Sequence, residues 1–106
     1  MDLYERIRAI RELLGFSWYE VAEELCIEPE DIEAFESGKT IPTDTQIIVM
    51  ASLFRVPKEF LADGSLQGAS PDVWNEMNME EKLRSAQTIF KLTHSWDDSP
   101  SGIEKE

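Results

Sequence analysis

Apolar residues recur at helical spacing in a series of short segments, each bounded by residues that start or stop a helix. Leu3, Ile7, Ile10 and Leu14 follow steps of four, three and four, and Gly15 then suits the end of that helix. No segment shows the alternation of a strand. Four further segments show helical signals, at residues 18–25, 29–37, 44–54 and 58–62. The sequence therefore predicts an all-α fold whose first unit is a bundle of five short helices.

Helix starts are marked by side chains that can satisfy free backbone N–H groups. Ser17 with Glu20, and Thr43 with Gln46, have the three-residue spacing of a capping box. Pro29 suits the first turn of a helix, because its fixed φ is helical and it has no N–H to satisfy. These signals predict where the second, third and fourth helices begin.

The remainder of the chain divides at a Gly-, Ser- and Pro-rich stretch. We expect a first domain over 1–64, a linker over 65–70, a segment of one or two helices over 71–96 and a disordered tail over 97–106. The C-terminal segment has more apolar surface than a lone helix can hide, so it is predicted to mediate dimerisation or partner binding. The residues assigned to this contact are Val73, Trp74, Met77, Leu83, Phe90 and Trp96.

Charge and length limit the possible functions. The chain has 106 residues and a formal net charge of −12, so its averaged surface repels nucleic acid. It is too short for a two-lobed enzyme and has no nucleophile, histidine and acid at a plausible site, so no enzymatic activity is expected. His94 stands alone and Cys26 is the single cysteine, so no metal, cofactor or internal disulfide is expected. The absence of a leader and of a long apolar run predicts a cytoplasmic protein that is not in a membrane.

Residues 3–61 resemble the XRE-type helix-turn-helix family, which includes Cro and the phage repressors. The resemblance rests on I-R-x-x-R-E-L-x-G-F-S, V-A-E-E-L, I-x-x-F-E-S-G-K, a proline at 42 and V-P-K-E-F-L, in that order and spacing. It implies a lambda-repressor-like domain from a bacterial or phage regulator of transcription. It also implies an ion pair between Arg11 and Glu36, and a glycine-like positive φ at Cys26, whose thiol we expect to be buried and inert.

The resemblance further implies DNA binding, with the third helix in the major groove. The groove-facing positions of this chain are strongly acidic, with Glu28, Glu30, Asp31 and Glu33. Residues 16–36 contain eight acidic residues and no Lys or Arg. Trp18 stands where the family usually has a glutamine that binds DNA.

The sequence leaves three candidate functions. The first is regulation through a protein partner with a basic surface, such as another regulator's DNA-binding face, whose charge would complement these carboxylates. Its contact residues would be Trp18, Tyr19, Glu28, Glu30, Asp31 and Glu33. The alternative is a conventional DNA-binding repressor homodimer, with phosphate and base contacts from Arg6, Arg8, Ser37, Lys39 and Thr40. The third is an antitoxin-like module whose C-terminal segment binds a toxin.

Overall fold

The computed structural model describes the backbone of residues 1–102 and the side chains of residues 1–93. Within that part the chain is all-helical, which confirms the predicted fold class. The first five helices are those predicted from spacing, and two helices follow in the C-terminal segment. The helices are α1 (Leu3–Leu14), α2 (Trp18–Leu25), α3 (Pro29–Ser37), α4 (Asp44–Phe54), α5 (Lys58–Asp63), α6 (Pro71–Glu76) and α7 (Met79–Gly102).

The predicted capping boxes fix the starts of α2 and α4. The Ser17 hydroxyl accepts from the Glu20 N–H at 3.1 Å, while the Glu20 carboxylate accepts from the Ser17 N–H at 2.8 Å. Thr43 and Gln46 exchange the same two bonds at 3.1 and 2.9 Å. Each pair satisfies two N–H groups that a helix start otherwise leaves without a partner.

The turn between α2 and α3 is held by Cys26 in the left-handed conformation, at φ 60°. Its N–H donates to the Glu23 carbonyl at 3.2 Å, which closes the end of α2. The predicted positive φ is present, but the prediction of a buried thiol is wrong, because Cys26 is exposed. The neighbouring Ile27 packs against the core, and its N–H donates to the Ala22 carbonyl at 3.0 Å, whereas the Cys26 side chain faces solvent.

One apolar core joins the helices. Its largest fully buried side chains come from α1 to α5 and from the connection between α4 and α5, which contributes Val56. They are Phe54, Phe60, Ile7, Ile10, Ile32, Met50, Leu61, Val21 and Val56. Ile32 is wholly buried on α3, so this helix is fixed in orientation and its opposite side is held toward solvent.

The C-terminal helices pack on the same core. The Trp74 ring meets Phe60 edge-on at 5.8 Å between centroids, and its indole N–H donates to the Gly64 carbonyl at 3.1 Å. The Gln87 amide donates to the Phe54 carbonyl at 2.9 Å, which ties α7 to the end of α4. Residues 71–87 are therefore part of the domain that begins at α1.

This packing corrects part of the predicted dimer surface. Trp74 and Leu83 are buried in the chain's own core, at 8% and 4% exposure, so they do not offer a surface to a second copy. Met77 packs partly against the same core. Val73 is exposed and Phe90 half-buried, so their role in dimerisation stays a prediction, while the Trp96 side chain lies outside the described residues.

Two helix ends differ from the predicted ones. Helix α5 continues one residue further, to Asp63. Helix α7 continues to Gly102, six residues beyond the end predicted at 96 and into the segment predicted to be disordered. Extending a formed helix fixes one residue for each hydrogen bond gained, so a polar sequence can continue it, although Pro100 contributes no N–H to this extension. Residues 103–106 of the predicted tail lie outside the described chain.

None of the helices in the described part of the chain combines the length and the apolar character needed to span a membrane.

Candidate functional site

The exposed side of α2 and α3 carries a surface of carboxylates. Its members are all exposed and lie on the two helices or at the turn that joins them. They are Glu20, Glu23, Glu24, Glu28, Glu30, Asp31 and Glu33, and we call this set the acidic face. The buried Ile32 and Phe35 hold α3 against the core, and so hold its acidic side outward.

The acidic face is not neutralised by the chain itself. Among residues 1–93, no Lys or Arg lies within ion-pair distance of any of its seven carboxylates. The Asp31 carboxylate accepts from the Glu28 N–H at 3.1 Å, which is a helix-start bond and leaves the charge in place. Lys39 follows α3 and is exposed, and it is the nearest basic residue along the chain. The face therefore presents a strong negative potential to anything that approaches α3.

Beside the acidic face, an arginine, a tryptophan and a glutamate join the first three helices. Arg11 on α1 bonds both oxygens of Glu36 on α3, at 2.5 and 3.1 Å, and it also donates to the Phe16 carbonyl at 2.8 Å. This is the ion pair that the resemblance implies. The Trp18 indole N–H donates to the same Glu36 carboxylate at 3.2 Å, and the Arg11 guanidinium lies 5.7 Å from the ring centre. The charge of Glu36 is therefore compensated, unlike those of the acidic face.

This cluster limits what Trp18 can offer to a partner. Its single donor is occupied by Glu36, and only 36% of the residue is exposed. Tyr19, the next residue, is 73% exposed. The partner-binding residues predicted from the sequence thus lie at the surface of α2 and α3, but Tyr19 is the more accessible of the two aromatic residues.

Arg6 is the clearest correction to the predicted DNA contacts. It is 5% exposed, and its guanidinium donates to the carbonyls of Leu61 at 2.8 Å, Ala62 at 2.7 Å and Met1 at 2.9 Å. Desolvation lowers the pKa of Arg6, and the carboxylates of Asp63 and Asp2 oppose that shift. A side chain whose donors are bound to backbone carbonyls in this way cannot reach a phosphate. Arg6 is a structural link between α1 and the end of α5.

The other residues of the DNA-binding alternative are accessible. Arg8 is exposed and pairs with Glu12 at 3.3 Å, one helical turn away. Ser37 is exposed and donates its hydroxyl to the Ala34 carbonyl at 3.2 Å. Lys39 and Thr40 are exposed in the loop that follows α3. Of these four, two are basic, so the positive charge available near α3 is small compared with the acidic face.

An apolar cleft lies where the start of α1 meets the end of α3, and the sequence analysis did not identify it. Its volume is about 290 Å³, and its apolar walls are formed by Leu3, Tyr4, Phe35, Ile41 and Pro42. Ile41 is 82% exposed although it is apolar and lies in a loop. An isoleucine placed between polar loop residues and a proline was the sequence signal that could have pointed to this cleft.

Comparison with known proteins agrees with this architecture. A family model described as helix-turn-helix matches residues 7–61, just over half of the chain. A solved structure of the P22 c2 repressor, in complex with a synthetic operator, superposes with a TM-score of 0.57 at 20% identity. The match covers 61% of this chain and 98% of the P22 repressor chain in that structure, and it shows a shared fold. A comparison with curated protein sequences gave no match. The family match spans α1 to α5 and contains both the turn at Cys26 and the acidic face, and on that basis the chain belongs to the XRE-type helix-turn-helix family of transcription regulators.

Proposed function

We propose that this regulator acts through a protein partner with a basic surface, which binds the acidic face of α2 and α3. The observation that supports this most directly is the exposure of all seven carboxylates without an ion pair among residues 1–93. A partner such as the DNA-binding surface of another regulator has the complementary charge. Occupation of that surface would keep the partner from its operator.

Electrostatics weigh against DNA as the ligand of this face. A carboxylate about 7 Å from a phosphate is repelled by about 0.6 kcal/mol in water, and desolvation raises that value. The four predicted groove-facing acids, Glu28, Glu30, Asp31 and Glu33, would together cost about 2 kcal/mol before screening by salt. Lys39 and Arg8 offer two attractions in return, and Arg8 already pairs with Glu12.

The test compares variants that change the same charge at different places. In one, Glu28, Glu30 and Glu33 of the acidic face become glutamine. In the matched control, Glu59, Asp72 and Glu76, which are exposed on α5 and α6, become Gln, Asn and Gln. Binding to a labelled duplex containing the chain's own upstream sequence is measured from low salt upward.

We expect the unmodified protein not to bind duplex DNA at low salt, and the control variant to behave in the same way. The face variant should bind the duplex measurably at low salt, because removal of three repulsions of about 0.6 kcal/mol each favours DNA binding by at least about tenfold. A partner recovered from the native host should be lost by the face variant and retained by the control. If the partner binds both variants equally, the acidic face is not its binding site.

Sequence-specific DNA binding is the second candidate, and it is supported by the fold shared with P22 c2 repressor, whose structure contains an operator. In this case Ser37, Lys39, Thr40 and Arg8 would hold phosphates, and the carboxylates of α3 would accept from cytosine amino groups. Tight binding of the unmodified protein, with affinity that falls steeply as salt rises, would establish this function in place of the first.

A further inference from the structure

The apolar cleft beside α3 has the size and enclosure of a site for one large side chain. Tyr4 on α1 lies against Gly38 at the end of α3, and a Cβ on Gly38 would stand 3.4 Å from the Tyr4 ring. The ring therefore lines the cleft, together with Phe35 and Ile41. At about 290 Å³ the cleft is at the lower limit for a small-molecule pocket, but it is ample for a leucine or phenylalanine side chain.

The edge of the cleft is negatively charged. Asp2 lines it, and Glu5 lies one turn further along α1. The carboxylates of Asp2 and Glu5 raise the pKa of the Tyr4 hydroxyl, as expected for a group beside two negative charges. Lys39 is next to Gly38 in the chain but does not line the cleft. An apolar group that enters here is best flanked by cations.

The open side of the cleft leaves apolar surface in water. Ile41 is 82% exposed and Tyr4 is 37% exposed, although both lie beside apolar neighbours. Covering such side chains is favourable, and an apolar anchor within a charged rim is the common arrangement of a protein-binding site. A second copy of this chain fits poorly, since it would bring its own net charge of −12 to a negative edge.

We propose that the cleft seats one large apolar side chain of the partner, and that basic residues beside that anchor pair with Asp2 and Glu5 at the edge of the cleft. This assignment rests on the proposed function, because it names the recognition motif of the same partner. The motif is an apolar residue flanked by Lys or Arg. The acidic face supplies the charge attraction, and the cleft selects the anchor.

Two synthetic peptides of equal charge separate these contributions. One is acetyl-Lys-Lys-Leu-Lys-Lys-amide, and the other has glycine in place of leucine. Their affinities are measured by NMR titration of the full chain, with the Ile41 methyl and Tyr4 ring signals as local reporters. The variants are Ile41→Ser at the cleft and, as a matched control, Ile48→Ser on α4, where the isoleucine is 47% exposed and does not line the cleft.

We expect the leucine peptide to bind about fivefold more tightly than the glycine peptide and to shift the Ile41 and Tyr4 signals. Ile41→Ser should abolish that preference, and Ile48→Ser should preserve it. Equal affinity of the two peptides for the unmodified chain overturns the cleft assignment, yet salt-sensitive binding of both peptides that is weakened in the variant with glutamine at Glu28, Glu30 and Glu33 would still support the acidic face. Binding of neither peptide overturns the assignment and counts against the proposed function as well.

Discussion

Replacement of Arg6 by methionine tests the interpretation of this buried arginine as a structural link. Methionine retains apolar packing along the side chain but removes three hydrogen bonds to backbone carbonyls, at 2.7 to 2.9 Å. Hydrogen bonds from a charged group contribute about 1.5–3 kcal/mol each, and carbonyls left without partners add to the loss. Release from the cost of burying a charge offsets part of that sum. We therefore expect the free energy of unfolding to fall by about 3 kcal/mol.

A loss of that size is large for a small domain, whose total stability is roughly 5–15 kcal/mol. It should lower the melting temperature by more than about 10 °C. The assay is urea unfolding followed by far-UV circular dichroism. Arg8→Met is the matched control on the same helix, and it should cost less than about 0.5 kcal/mol because Arg8 is exposed and its pair with Glu12 is in water.

Arg6→Lys should lie between the unmodified protein and Arg6→Met, since an ammonium cannot reach three carbonyls arranged for a planar guanidinium. A loss below about 1 kcal/mol for Arg6→Met would refute the reasoning. It would mean that water satisfies the carbonyls at the end of α5 as well as the guanidinium does.

Three further predictions concern other parts of the domain. Arg11→Met leaves the buried carboxylate of Glu36 without its cation and should cost about 3 kcal/mol in a denaturant titration; an unchanged midpoint would show that the pair contributes nothing. The pKa of Asp63 is lowered, chiefly by its hydrogen bond from the Ser65 hydroxyl and then by that from the Ser65 N–H, so its folded form holds a proton less tightly than its unfolded form. Asp63 therefore stabilises the fold at pH values above about 4, its pKa in the unfolded chain. This stabilisation is lost as the pH falls through the lower pKa that Asp63 has in the folded protein. In the Asp63→Asn variant, the melting temperature should fall less steeply with decreasing pH below about pH 4 than in the unmodified protein. An unaltered pH profile would contradict the assignment. Removal of residues 65–106 takes away Trp74 and should destabilise the remaining helices by about 4 kcal/mol or more in a thermal melt, whereas an undiminished melting temperature would show that α6 and α7 are not part of the folding unit.

Much of the fold could be predicted because its signals are local. The steps between apolar residues in α1, and the capping boxes at Ser17 and Thr43, each depend on neighbours within four residues. Such patterns fix where a helix starts, where it ends and which side is buried. The acidic side of α3 follows in the same way, once Ile32 and Phe35 are assigned to the core.

The errors at Trp74 and Arg6 arose because the partner is distant in sequence. Trp74 was predicted to be buried, but spacing does not say whether the covering surface belongs to the same chain or to another. Arg6 lies beside Ile7 on α1 and was interpreted as a surface cation. Its true partners are backbone carbonyls 55 and 56 residues away, and a carbonyl has no signature in a sequence. The cleft could not be predicted from neighbouring residues either, because it forms only when α1 meets the loop after α3.

The acidic face also has a consequence for how this fold responds to ionic strength. Seven like charges on two short helices repel one another more strongly when the chain is compact than when it is extended. Counter-ions at about 0.1 M reduce this repulsion over distances beyond roughly 10 Å. Added salt should therefore tighten the α2–α3 unit, which is the reverse of what happens in a domain held by surface ion pairs. A partner that brings cations to this face would reduce the same repulsion, so its binding would also stabilise the fold.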